Sequence, residues 1–206
     1  MKVLMINGSP RSGGNTAVAL KEMEQVFARN EIETTTMQIG SVPIRGCVAC
    51  GGCATLGRCV LGEDPVNEAS SLFRESDGLV IATPVYYGSA NGTLISFLDR
   101  LFQCSRFDKR MKVGASVAVA RRGGTTATFD ELNKYFTITG MPVASSQYWN
   151  NLHGGAPGEA LQDAEGLQIM RTLAENMSFL IKSIALGRKT FGLPDPEPRI
   201  TTSFIR

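Results

Sequence analysis

Four cysteines stand within one short stretch, Cys47, Cys50, Cys53 and Cys59, spaced C-x2-C-x2-C-x5-C. Thiolates are soft ligands, and the glycines among them let a loop wrap one tetrahedral or cubane centre. Three close cysteines followed by a fourth suit an iron–sulfur cubane better than structural zinc, which usually takes two separated pairs. Two other readings stand beside it: a redox-active thiol pair, and a cysteine loop that holds nothing. The fifth cysteine, Cys104, falls at the expected end of a helix and reads as a structural thiol.

A second constellation opens the chain, MKVLMINGSPRSGGNT. Val3 to Ile6 is a short branched apolar run, a buried strand. It ends in a turn cluster, and from Thr16 the pattern turns helical. A strand–loop–helix unit of this kind presents free backbone N–H groups and the positive end of a helix dipole, which together bind anions. Ser9, Ser12, Asn15 and Thr16 add side-chain donors, and Arg11 adds a positive charge. There is no Gly-Lys-Ser/Thr and no G-x-G-x-x-G, so a terminal monophosphate fits better than a pyrophosphate with magnesium. The plainer alternative is a strand-to-helix turn with Asn or Thr as N-cap.

Two more loops leave predicted strand ends. Pro84 to Ser89 offers adjacent tyrosines, which stack on flat heterocycles, and backbone amides that read ring nitrogens and carbonyls. Alone it is a turn whose tyrosines cap the core. Residues 121–126 put Gly123-Gly124 where backbone comes close to a neighbour, with Arg121 and Arg122 beside them. A phosphate loop, an aromatic loop and a glycine loop together suit a mononucleotide carrying a planar redox ring, which is flavin mononucleotide (FMN). With such a cofactor no acid–base side chain is required. His153, the only histidine, sits in a glycine-rich loop and reads as a loop hydrogen-bonding residue.

The elements that must position these loops alternate. Helices are expected over 16–30, 64–75, 92–102, 125–139 and 159–185, and strands over 3–6, 31–39, 78–83, 113–120 and 142–148. That predicts an α/β three-layer sandwich around a five-stranded parallel sheet. Ligands in such sheets sit beyond the strands' carboxyl ends, at the switch in strand order.

With 206 residues and a net charge of +2, the chain suits one α/β domain and gives no argument for nucleic acid or an anionic membrane. No leader segment or membrane span is read, so a cytoplasmic protein is expected, where thiols stay reduced and disulfides are not the explanation.

Over nearly its whole length the chain resembles the flavodoxin-like NAD(P)H-dependent FMN reductase superfamily. The matching stretches are Gly8 to Thr16, Thr83 to Gly88, Phe97-Leu98-Asp99-Arg100-Leu101 and the Gly123-Gly124 loop. The resemblance implies strand order 2-1-3-4-5 with FMN at the strand ends. Ser9, Arg11, Ser12, Asn15 and Thr16, with Gly14 between them, would hold the phosphate. Pro84, Val85, Tyr86, Tyr87 and Gly88 would line the isoalloxazine, and Arg122, Gly123, Gly124 and Thr125 would close its other side. The cysteine loop, residues 43–62, resembles the signature of the iron–sulfur flavoprotein branch, which places a [4Fe–4S] cluster on Cys47, Cys50, Cys53 and Cys59. A cluster there is expected near the flavin. A lysine common before the Phe-Leu-Asp-Arg stretch is replaced here by Leu94-Ile95-Ser96.

The implied activity is an FMN-dependent oxidoreductase. Its electrons would come from NAD(P)H or a ferredoxin-like donor and go to a quinone, a free flavin or another small acceptor. The alternative is a flavodoxin-type carrier, or an iron–sulfur flavoprotein without nicotinamide activity. Outside redox chemistry stands a sensor whose first loop binds another phosphate ligand. The family suggests a homodimer or homotetramer. Residues 1–190 are expected as the FMN-binding domain and 191–206 as a tail acting as an oligomerisation arm.

Overall fold

In the computed structural model, which describes residues 1–205, the opening apolar run forms β1 (Lys2–Asn7). The chain continues through α1 (Asn15–Arg29), β2 (Glu33–Gln38), α2 (Gly52–Leu56), α3 (Val66–Glu75) and β3 (Gly78–Tyr86). Then come β4 (Ser89–Ala90), α4 (Gly92–Cys104), β5 (Val113–Ala120), α5 (Thr125–Thr137), β6 (Asn151–His153) and α6 (Ala164–Phe191). The sheet order is β2-β1-β3-β5-β6, all parallel, with β4 antiparallel beside β3. Setting the two-residue β4 aside, this is the flavodoxin-like order 2-1-3-4-5.

Strand residues alternate between two cores. Val3 and Met5 with Val80 and Ala82 pack against α1 and α6, through Met23, Phe27, Leu173 and Met177. Leu4, Ile6, Leu79 and Ile81 face the other way, onto Phe73, Phe97, Leu101 and Phe136 of α3, α4 and α5. Burial on both faces explains why β1, β3 and β5 read as continuous apolar runs while the edge strand β2 is rich in threonine.

The last strand is a correction. It was expected over 142–148 and lies at Asn151–His153. Pro142 has no N–H to offer a ladder. The chain touches the sheet there in a single bridge, Gly114 to Val143. It then leaves in a turn tied by the Ser146 hydroxyl to Tyr148 O (2.7 Å) and Asn150 Oδ1 (2.8 Å), and rejoins β5 only at Asn151. The expected single helix over 159–185 is also revised. A short 3-10 turn occupies Glu159–Gln162, and α6 starts afresh where the Asp163 carboxylate caps Gly166 N (2.9 Å). Gly187 does not stop α6; Gly192, at φ +76°, ends it. The helix expected over 64–75 is α3, which starts at Val66 with Pro65 in the capping position, and Asp64 accepts from Val66 N (3.2 Å).

Candidate functional site

At the β1 end the loop is held from behind. Asn91 Nδ2 donates to Gly8 O (2.7 Å), Gln38 Nε2 donates to Ser9 O, and Gly8 N donates to Ala82 O (2.8 Å). Asn7 Oδ1 accepts from Ser9 N (3.0 Å), and the Ser9 hydroxyl accepts from Arg11 N (3.1 Å). Gly40 passes so near that a Cβ there would lie 2.2 Å from the Ser9 carbonyl carbon. The carbonyls of Gly8 and Ser9 are thus spent on neighbours. Its free donors remain: among the described residues, the N–H groups of Ser12, Gly13, Asn15 and Thr16 give to no protein acceptor. The N-cap of α1 is Gly14, with no side-chain cap and no acid in the first turn. The result is an uncapped positive helix end, the arrangement that receives an anion.

This loop forms one wall of a cavity of about 260 Å³. Ser9, Arg11, Gly14, Asn15 and Thr16 line that wall, and Pro84, Val85 and Tyr86 line a second. The third comes from the end of β5 (Val119, Ala120, Arg121), and the fourth from Gly154, Gly155 and Pro157. The lining holds Arg11 and Arg121 and no carboxylate, which suits a phosphate. Arg121 of the third wall belongs to the 121–126 loop read from sequence; Val119, Ala120 and the fourth wall carry no assignment there. The glycine-rich stretch was noted only as a loop, and the late fifth strand is what brings it to the rim.

Several expected residues stand off this wall: Ser12, Tyr87, Gly88 and residues 122–125. Tyr87 (φ +52°) and Gly88 (φ +78°) make the two-residue turn joining β3 to β4, with both central residues left-handed. That turn throws the Tyr87 ring fully into solvent. Gly124 (φ +91°) packs against Val85 and Gly88, where a Cβ would lie 2.8 Å and 2.9 Å from their atoms. The third loop therefore braces the hairpin and gives the cavity Arg121 in place of Arg122. Glu131 of α5 completes the brace, accepting from the Ser89 hydroxyl (2.8 Å) and Ala90 N (2.9 Å). The Asn15 side chain is also engaged. Its amide donates to Ala156 O (3.0 Å) and accepts from Gly158 N (3.1 Å) and Ala160 N (3.2 Å), fastening the glycine-rich loop to α1. Its free donor toward the cavity is the backbone N–H.

The cysteine loop lies along α4. Cys47, Cys50, Cys53 and Cys59 line one cavity of about 140 Å³, and Cys104 lines it too. Among the described residues, no three His, Cys, Asp or Glu side chains converge on one point as a single metal ion requires. A cubane instead asks for one thiolate at each iron, spread around a larger body. Four loop thiols around one cavity match that donor chemistry. Burial, the largest cause, pushes the Cys104 thiol up, so it stays protonated at neutral pH.

The two cavities share no lining residue. Helix α4 begins beside Gly8, through Asn91, and meets the cysteine cavity at Arg100, Gln103 and Cys104. From Gly92 to Arg100 and Cys104 the helix rises about 12–18 Å. The cysteine loop and the three-loop cavity thus have separate linings within one chain. After Gly40 the chain meets α4, where Arg100 donates to Arg45 O and the Cys53 thiol to Gln103 O.

Comparison with known proteins bears on both cavities. The profile of the NADPH-dependent FMN reductase family matches residues 1–154. An iron–sulfur flavoprotein of Methanocaldococcus jannaschii is 33% identical over 196 residues, covering 89% of this chain and 99% of that protein. An iron–sulfur flavoprotein of Methanosarcina thermophila is 31% identical over 193 residues, covering 91% and 99%. A flavodoxin structure from the domain Archaea superposes with a TM-score of 0.56 at 14% identity, covering 86% of this chain and 99% of that one. The chain belongs to the NADPH-dependent FMN reductase family of flavodoxin-like proteins, in its iron–sulfur flavoprotein branch.

Proposed function

We propose that this chain binds FMN in the three-loop cavity and works as an oxidoreductase. It would take electrons from NAD(P)H or a ferredoxin-like donor and deliver them to a quinone, a free flavin or another small acceptor. The observation that carries the reading is the uncapped N-terminus of α1, facing a carboxylate-free cavity with Arg11 and Arg121. In this reading the N–H groups of Ser12, Gly13, Asn15 and Thr16, the Ser9 hydroxyl and Arg11 hold the phosphate. Pro84, Val85 and Tyr86 flank the ring, and Tyr87 and Gly88 turn the hairpin at its outer edge. Gly123, Gly124 and Thr125 support that hairpin from behind, and Arg122 stands at the rim. When bound, FMN supplies hydride and one-electron chemistry. Residues 1–190 form the cofactor-binding domain. No helix of the described chain is long and apolar enough to cross a membrane.

The cysteine loop is proposed as the seat of a [4Fe–4S] cluster on Cys47, Cys50, Cys53 and Cys59, a group that supplies one-electron chemistry. A second reading is an iron–sulfur flavoprotein without nicotinamide activity; both archaeal relatives are named iron–sulfur flavoproteins. Steady-state NADPH oxidation with added quinone separates them: turnover supports the first, none the second. The phosphate assignment is tested by titrating the flavin-free protein with FMN and with riboflavin. FMN is expected to bind at least about tenfold tighter, as loss of charge-assisted bonds implies. Equal affinities would remove the assignment.

A further inference from the structure

Arg100 is the buried charged residue of the Phe-Leu-Asp-Arg stretch, with its side chain 1% exposed. A buried arginine needs partners for all five of its N–H groups, and here each has one. The two terminal nitrogens fork onto Asp64, reaching Oδ2 and Oδ1 (3.1 Å), and also donate to Arg45 O (3.1 Å) and Leu61 O (2.5 Å). Nε donates to Cys59 Sγ (3.3 Å). Every partner lies between residues 45 and 64, the span that contains all four clustered cysteines. That span holds only one short helix, α2, so a single side chain from a rigid helix fastens both ends of the cysteine loop. A lysine could not replace it, because an ammonium lacks the planar fork. Four of the five bonds go to oxygens and hold the arginine in place. The fifth goes to sulfur, a weak acceptor as a thiol and a strong one as a thiolate.

We propose that Arg100 is the positioning residue of the cysteine pocket and that its Nε–H tunes the reduction potential of the centre formed on Cys59. The proposal rests on reading the cysteine loop as a cluster site. A fixed positive donor at a ligand sulfur stabilises the more negative, reduced centre, so it raises the potential. Asp64 neutralises part of that charge and sets how far.

The test is an anaerobic redox titration followed by electron paramagnetic resonance, with iron and FMN measured per chain. The parent is compared with Arg100→Gln, Arg100→Lys and Asp64→Asn. Arg100→Gln is expected to shift the equilibrium about tenfold toward the oxidised cluster, about 59 mV lower for a one-electron couple. Arg100→Lys should fall between that variant and the parent. Asp64→Asn leaves the arginine's charge uncompensated and should move the potential upward. FMN content should not change in any variant, since the cavities share no residue. Iron-loaded Arg100→Gln at the parent's potential would overturn the proposal. So would loss of iron in all three variants, which would leave Arg100 a fastener alone. A parent that takes up no iron on reconstitution would instead overturn the cluster reading beneath it.

Discussion

Single atoms decide the geometry of the phosphate loop. At Gly40 a Cβ would overlap Gly8 O, Ser9 C and Ser9 O at 2.2–2.4 Å, backbone that is itself hydrogen-bonded. Gly40→Ala is therefore expected to cost about 1–3 kcal/mol of stability, as overpacking does. It should also weaken FMN binding by about tenfold or more, seen by denaturant melts and fluorescence titration. An unchanged FMN affinity would contradict the placement of this loop. The Arg100–Asp64 pair is the other sensitive point. Removing one partner strands a buried charge, and Asp64→Ala should lose about 3–5 kcal/mol by urea unfolding. The donors of the loop were legible in the sequence from their residue types. The engagement of Asn15 with Ala156, Gly158 and Ala160 was not, because its partners lie more than 140 positions away and no local pattern announces them.

At the level of elements, the cavity walls owe their rigidity to braces between loops. Glu131 holds β4, and its replacement by Ala should speed amide exchange over residues 86–90 while leaving β5 protected. Glu159 closes the glycine-rich loop by accepting from Gly155 N (2.6 Å) and Ala156 N (2.9 Å). The Ala156 and then the Gly155 hydrogen bond hold its carboxyl below the ordinary carboxylate range. A group lowered on folding stabilises above its unfolded value, about 4.3, and loses that contribution as pH falls through the lowered one. Exchange at Gly155 and Ala156 should therefore quicken only in strong acid; loss of protection near neutral pH would contradict this. Periodicity recovered the buried strands and the helices α1, α4 and α5 because each carries a strong apolar repeat. It failed at β6, whose three residues are too few to show one, and at the hairpin, where Tyr87 at positive φ looks like any loop residue.

Across the whole molecule, α6 runs past the core that it covers. Phe179, Leu186 and Phe191 are 71%, 67% and 87% exposed, and Ile200 and Phe204 of the tail are also exposed. An exposed apolar set of this kind fits a homodimer or homotetramer in which residues 191–206 reach a neighbouring subunit. Deleting residues 192–206 should lower the sedimentation coefficient; an unchanged value would refute the arm. The family and sheet order were legible from a few loop motifs, while the separate linings of the two cavities were not, since they depend on where a long irregular loop travels. The most direct measurement is the visible spectrum of the chain purified without oxygen, with iron and FMN quantified. About one FMN and about four iron atoms per chain, with flavin bands on a broad brown absorbance, are expected. A colourless protein that stays so after incubation with excess FMN would contradict the account at its centre.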